Sequence, residues 1–122
     1  MHELVLKGIR VLVVEDEAII ALDLRSILQA AGATVVGPAR TLSAAEELAA
    51  SGDLAAAILD VQLGDATVFP VVRLLRNRGI PFLFHTGRAE PGAVARFGAE
   101  VIAKPATSAH IVAGVARLTR RG

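Results

Sequence analysis

Ile9-Arg10-Val11-Leu12-Val13-Val14 runs directly into Glu15-Asp16-Glu17, a β-branched stretch that ends abruptly in acids. Its apolar residues are continuous rather than alternating, the pattern of a strand covered on both faces. From Ala18 the period changes. Ile20, Leu24, Ile27, Leu28 and Ala31 recur at helical spacing, and Gly32 is placed to stop the helix. Ala18, Ile19 and Leu22 fall outside that stripe, either covered by a loop or left as an apolar patch beside Asp16 where a kinase's helical domain could dock.

The same alternation continues along the chain. Thr34-Val35-Val36-Gly37-Pro38 reads as a second strand closed by a breaker pair, and Thr41 or Ser43 caps a helix running to Ala50 with Gly52 beyond it. Alanine favours helix in Ala55-Ala56-Ala57-Ile58-Leu59-Asp60, but the apolar continuity and the terminal acid repeat the first strand, so this is a third. Gln62 to Thr67 reads as a polar loop, followed by a helix from Val68 to Asn77 stopped by Gly79. Ile80 to His85 is the fourth strand, with Pro81 at its entrance where a missing donor costs little. Ala93 to Phe97 has room only for a short helix, Glu100 to Ala103 is the fifth strand, and Ser108 to Arg120 the last helix. Five strand–helix alternations imply an α/β fold: a parallel sheet with helices on both faces, in the doubly wound order 2-1-3-4-5.

Composition narrows the function. The chain has 122 residues, 53% hydrophobic and 20% charged, enough for one domain with its own core. The absence of cysteine excludes a disulfide scaffold, a thiolate metal site and a cysteine nucleophile together. Thirteen basic residues against twelve acidic ones leave a net charge of +1, no footprint for nucleic acid, and there is no Trp or Tyr to stack bases. The basic residues Arg117, Arg120 and Arg121 read as a solvated helix end that suits the helix dipole. Apolar runs such as Leu54 to Leu59 fall far below the ~20 residues of a membrane span. Met1-His2-Glu3-Leu4 lacks the basic start and long apolar core of a signal peptide. The expectation is a soluble cytoplasmic protein, residues 1–122 forming one domain that binds neither nucleic acid nor membrane.

In the order 2-1-3-4-5, ligands bind where the sheet reverses, beyond the carboxyl ends of strands 1 and 3. Glu15 and Asp16 follow strand 1, Asp60 ends strand 3, Thr86 follows strand 4 and Lys104 follows strand 5. Neighbouring strands lie about 4.8 Å apart, so these residues converge on one crevice. Three carboxylates together repel unless a cation intervenes, and Mg²⁺ suits an oxygen shell completed by water and phosphate. A divalent ion, a lysine and a hydroxyl around one carboxylate are what phosphoryl transfer to that carboxylate requires. Asp60, the central member, is the expected nucleophile, forming an acyl phosphate. Glu17 is set aside as a first-turn acid favoured by the helix dipole alone. His85, by alternation, should point away from the Thr86 face and pack against a helix.

Val14-Glu15-Asp16-Glu17, Ile58-Leu59-Asp60-Val61, His85-Thr86-Gly87 and Lys104-Pro105, in that order and over essentially the whole chain, resemble a receiver domain of two-component response regulators. The resemblance implies a flavodoxin-like fold with a short fourth helix. It also implies that Asp60 is the phosphoacceptor, Asp16 a direct Mg²⁺ ligand, Glu15 a ligand acting through water, and the backbone carbonyl of Gln62 a further ligand. Thr86 and Lys104 match the hydroxyl and lysine that hold the phosphoryl oxygens, and the Lys104–Pro105 bond is expected to be cis. The implied donor is a histidine kinase or histidine phosphotransfer protein. Output would come by binding a downstream protein, relaying phosphate or draining it from a shared kinase, in a monomer or weak dimer. Such a protein is not an enzyme with an external substrate; it catalyses only its own modification and hydrolysis.

Two departures bear on the output. Val101 stands where receivers usually carry a switching aromatic. Phe84-His85-Thr86-Gly87 is similar to a subgroup, often stand-alone receivers, that ends this strand in Phe-Ala-Thr-Gly followed shortly by Tyr; here His85 replaces the alanine and Ala89 the tyrosine. The response to phosphorylation is therefore expected in Thr86-Gly87-Arg88 and the segment up to Phe97 rather than at Val101. The alternative function is a haloacid-dehalogenase-like phosphatase with Asp60 as nucleophile, but its general acid two residues later is here Gln62. A dinucleotide-binding module is disfavoured because no Gly-x-Gly-x-x-Gly follows strand 1.

Overall fold

The computed structural model describes residues 4–87 and 97–120. In chain order the elements are β1 (Arg10–Val14), α1 (Ala18–Ala30), β2 (Thr34–Ala39), α2 (Leu42–Ser51), β3 (Ala56–Leu59), β4 (Gln62–Leu63), β5 (Ala66–Thr67), α3 (Phe69–Asn77), β6 (Phe82–Thr86), β7 (Val101–Ala103) and α4 (Ser108–Thr119). Five strands form a parallel sheet in the order β2-β1-β3-β6-β7, which is the expected 2-1-3-4-5 with β6 and β7 as the fourth and fifth strands. The expected helix at 93–97 falls almost wholly on residues outside those described.

Alternate residues of the central strands supply two separate cores. Leu12, Val14, Ala57, Leu59, Phe82 and Phe84 pack with Ala45 and Ala49 of α2 and Val71, Val72 and Leu75 of α3. Val11, Val13, Ala56, Ile58 and Leu83 face Leu24 and Leu28 of α1 and Ile111 and Val115 of α4. Burial of both faces explains the unbroken apolar runs of β1 and β3. It also overrides the helical preference of Ala56 and Ala57, which are fully buried in a strand. Thr41 caps α2, its Oγ1 accepting from the Ala44 amide at 3.1 Å. Gly32 ends α1 at φ +98°.

Two expectations are corrected. Gly37-Pro38 does not close β2, which runs on to Ala39. β2 is an edge strand, so a proline without an amide interrupts no second ladder. The register to β1 shifts between Leu12 and Val14, pairing Val14 with Ala39. Gln62 to Thr67 is not a featureless loop but an antiparallel hairpin, β4 against β5, turning at Gly64 and anchored by buried Leu63. Ile19 (84% exposed) and Leu22 (57%) form the uncovered patch rather than lying under a loop.

Candidate functional site

Register delivers the site residues to one edge of the sheet. Val14 pairs with Leu59, Leu59 with Phe84, and Thr86 with Ala103, so the residues following β1, β3 and β7 leave at the same level as the end of β6. The Asp60 amide donates to Val14 O at 2.9 Å and the Lys104 amide to Thr86 O at 3.1 Å, extending the sheet's order by one residue on each strand. An open cleft of about 380 Å³ results, lined by Asp16, Glu17, Asp60, Gln62, Thr86, Gly87 and Lys104. Glu15 is fully buried, while Asp60 and Thr86 are 6% and 3% exposed.

Lys104 is the electrostatic centre. Its Nζ donates to Asp60 Oδ2 at 2.9 Å and forms an ion pair with Glu15 Oε1 at 2.6 Å. Glu15 Oε2 accepts from the Glu17 amide at 3.2 Å. Asp16 is held differently: its Oδ2 accepts from the Gly64 amide at 2.8 Å, tying the β4–β5 hairpin to the acidic loop. One carboxylate oxygen from each of Glu15, Asp16 and Asp60 lies within 4.8 Å of the others.

Burial pushes the Glu15 carboxyl up to about 7, against the opposing pull of Lys104 and the Glu17 amide and with the help of the Asp60 charge. Burial alone would lower Lys104, but its close contacts with the Glu15 and Asp60 carboxylates outweigh it and hold the ammonium above its ordinary value. One firmly charged lysine thus faces three clustered carboxyl groups, and the balance is negative. An all-oxygen donor set of this kind, open to water on the cleft side, fits a hard cation such as Mg²⁺. Glu15, Asp16 and Asp60 are the residues that could hold it, with Gln62 on the cleft wall.

All six residues singled out from sequence meet here. The Lys104–Pro105 bond is cis, as the resemblance implies, and a second cis bond at Gly37–Pro38 had no sequence signal. Glu17 corrects its reading: it precedes α1 as the N-cap residue, makes no side-chain cap, and turns its carboxylate to within 3.8 Å of Lys104 Nζ. The dipole explanation of a first-turn acid concealed that role. Arg40 was passed over entirely; its guanidinium donates to the Asp16 carbonyl. His85 faces away from the cleft as alternation requires. It is buried and lines a cavity of about 100 Å³ with Ile20 and Leu24 of α1 and Ile111 of α4, and burial lowers its pKa.

Comparison with known proteins decides the family. A family model described as the response regulator receiver domain matches residues 11–116. The chain belongs to the response regulator receiver domain family. As a receiver it is a component of phosphorelay signal transduction, and the phosphatase alternative finds no support. The receiver is 32% identical over 119 residues to the phyllosphere-induced regulator PhyR of Methylorubrum extorquens, covering 88% of this chain and 42% of that protein. It therefore spans less than half the length of that curated relative. Among solved structures it is similar to the non-phosphorylated HemR receiver domain from Leptospira biflexa, with a TM-score of 0.83, 27% identity, and 94% and 97% of the two chains covered. It is also similar to the response regulator PhyR from Brucella abortus, with a TM-score of 0.76, 25% identity, and 95% of this chain and 50% of that one covered. Receiver domains act with kinase or phosphotransfer partners. Among the described residues no helix is long and apolar enough to cross a membrane.

Proposed function

We propose that Asp60 accepts a phosphoryl group from a phosphohistidine on a histidine kinase or phosphotransfer protein, the whole chain acting as one receiver in the cytoplasm. The observation that carries this reading is Lys104 Nζ at 2.9 Å from Asp60 Oδ2, with the Asp16 and Glu15 carboxylates clustered beside it. In the transfer, an Asp60 oxygen forms a bond to phosphorus as the phosphorus–nitrogen bond to the donor imidazole breaks. Lys104 shifts its ammonium from the carboxylate to the incoming phosphoryl oxygens, and Thr86 supplies the neutral hydroxyl donor at the end of β6. Asp16, Asp60, Glu15 and the Gln62 carbonyl would hold Mg²⁺, Glu15 through water. When bound, the ion neutralises charge on the transferred group and the acidic cluster. The receiver modifies itself and turns over no external substrate. Its output is read by a protein partner, passed on as phosphate, or spent as a drain on a shared kinase.

Incubation with acetyl phosphate and Mg²⁺ tests the reading. The expected result is one acid-stable, base-labile phosphate per chain, absent without Mg²⁺ and absent in Asp60→Asn. Turnover of the donor with no phosphate retained on the chain, or full labelling of Asp60→Asn, would overturn it.

A further inference from the structure

Arg40 stands outside the cleft's lining, yet it grips the loop that carries the acids. Its Nε and Nη2 donate to the Asp16 carbonyl at 3.3 and 3.1 Å, two arms of one guanidinium on one backbone oxygen. The end of β2 is shaped to bring it there. Gly37 adopts φ +94°, and a Cβ at that position would lie 2.6 Å from Ala39 N and 3.0 Å from Val13 O. Only glycine lets β2 approach β1 this closely, and the register shift then sets Ala39 beside Val14. Ala39 is buried, and its carbonyl accepts from the Glu15 amide at 3.0 Å. Arg40 therefore leaves the strand beside the Glu15–Asp16 turn, within reach of the Asp16 carbonyl. With Gly64 on the Asp16 carboxylate, that residue is fixed from both sides, by β2 through its backbone and by the hairpin through its side chain.

We propose that Arg40 is a positioning residue of the cation site, holding the Asp16 backbone so that the Asp16 carboxylate stands in place before Mg²⁺ arrives. This rests on the reading of Asp16 as a metal ligand. The proposal makes a prediction opposite in sign to simple electrostatics. A guanidinium beside a cation site repels the ion, so by charge alone its removal would strengthen Mg²⁺ binding. Positioning requires the reverse, since partners that orient a ligand govern metal affinity without touching the metal. Lysine keeps the charge but not the planar fork, and so should restore little.

The test is a Mg²⁺ titration of the full chain without phosphodonor, followed by calorimetry, on the unchanged protein, Arg40→Ala and Arg40→Lys. Arg40→Ala should raise the Mg²⁺ dissociation constant about tenfold, the low end for such partners, and Arg40→Lys should recover less than half of that loss. Labelling by acetyl phosphate should slow at limiting Mg²⁺ and return to the unchanged rate at saturation. Unaltered or tighter Mg²⁺ binding by Arg40→Ala would overturn the proposal, even if its melting temperature fell, because that pattern marks a purely structural contact. Absence of Mg²⁺ binding by the unchanged protein would overturn the metal-site reading itself, and this proposal with it.

Discussion

Lys104→Met removes the cation from the cleft while keeping most of the apolar stem that packs there. The Lys104 side chain is 11% exposed, and its partners Asp60 and Glu15 are 7% and 0% exposed, so both interactions belong to the buried class. Breaking a buried ion pair by deleting one partner costs ~3–5 kcal/mol, because a charge is left without compensation. Here the loss is relieved in part. Glu15 is already pushed up to about 7, so it takes up a proton at small cost near neutrality. The expected loss in metal-free protein at pH 8 is therefore about 2–3 kcal/mol, which lowers a urea midpoint by roughly 1–2 M. Urea unfolding followed by circular dichroism measures it. The deficit should shrink toward pH 5.5, where Glu15 is protonated, and millimolar Mg²⁺ should recover most of it by neutralising the same carboxylates. Mg²⁺ should also bind the variant more tightly, since no ammonium competes for Asp60. A variant as stable as the parent at pH 8 without metal would refute the claim that Lys104 offsets the acidic cluster.

Gly37→Ala should destabilise the receiver by ~2 kcal/mol, since the added Cβ meets backbone at 2.6 Å in a left-handed conformation; denaturant titration reads the loss. His85 is lowered by burial, then by the Lys104 charge, so the native state keeps it neutral while the unfolded chain protonates near 6.5. Its stabilising contribution is complete above that pH and disappears as pH falls toward the folded value; His85→Phe should flatten this part of the stability profile relative to the parent. Thr86→Ala should leave Asp60 able to take a phosphoryl group but uncouple it from partner binding, whereas Val101→Ala should leave the coupling intact. Hydrogen exchange with and without beryllofluoride checks this: protection confined to β7 and α4, with 86–97 silent, would place the response elsewhere.

The parts of this molecule that could be read from sequence are those where burial dictates composition. Val11 to Val14 and Ala56 to Leu59 are covered on both faces, so their apolar runs are continuous and their ends stand out as acids. That regularity located Asp16, Asp60, Thr86 and Lys104 because each ends or follows a strand whose length was legible. What escaped notice lacks a repeating pattern. The β4–β5 hairpin consists of two residues on each strand, too short for alternation to register. β2 passes through Gly37-Pro38 because an edge strand tolerates a missing amide, and nothing local marks a strand as an edge before the sheet is assembled. Glu17 and Arg40 act across chain separation, on Lys104 and on the Asp16 carbonyl, and each has a bland local explanation that sequence alone cannot displace.

The most direct test of the central claim is chemical mapping of the modified side chain. The receiver is treated with acetyl phosphate and Mg²⁺, reduced with borohydride, digested and analysed by tandem mass spectrometry. Reduction of an aspartyl phosphate leaves homoserine in place of the aspartate. Homoserine at position 60, and at no other acid of the Glu15–Glu17 loop, is the predicted result. Homoserine at Asp16, or an unreduced Asp60 in protein that carries one phosphate per chain, would contradict it.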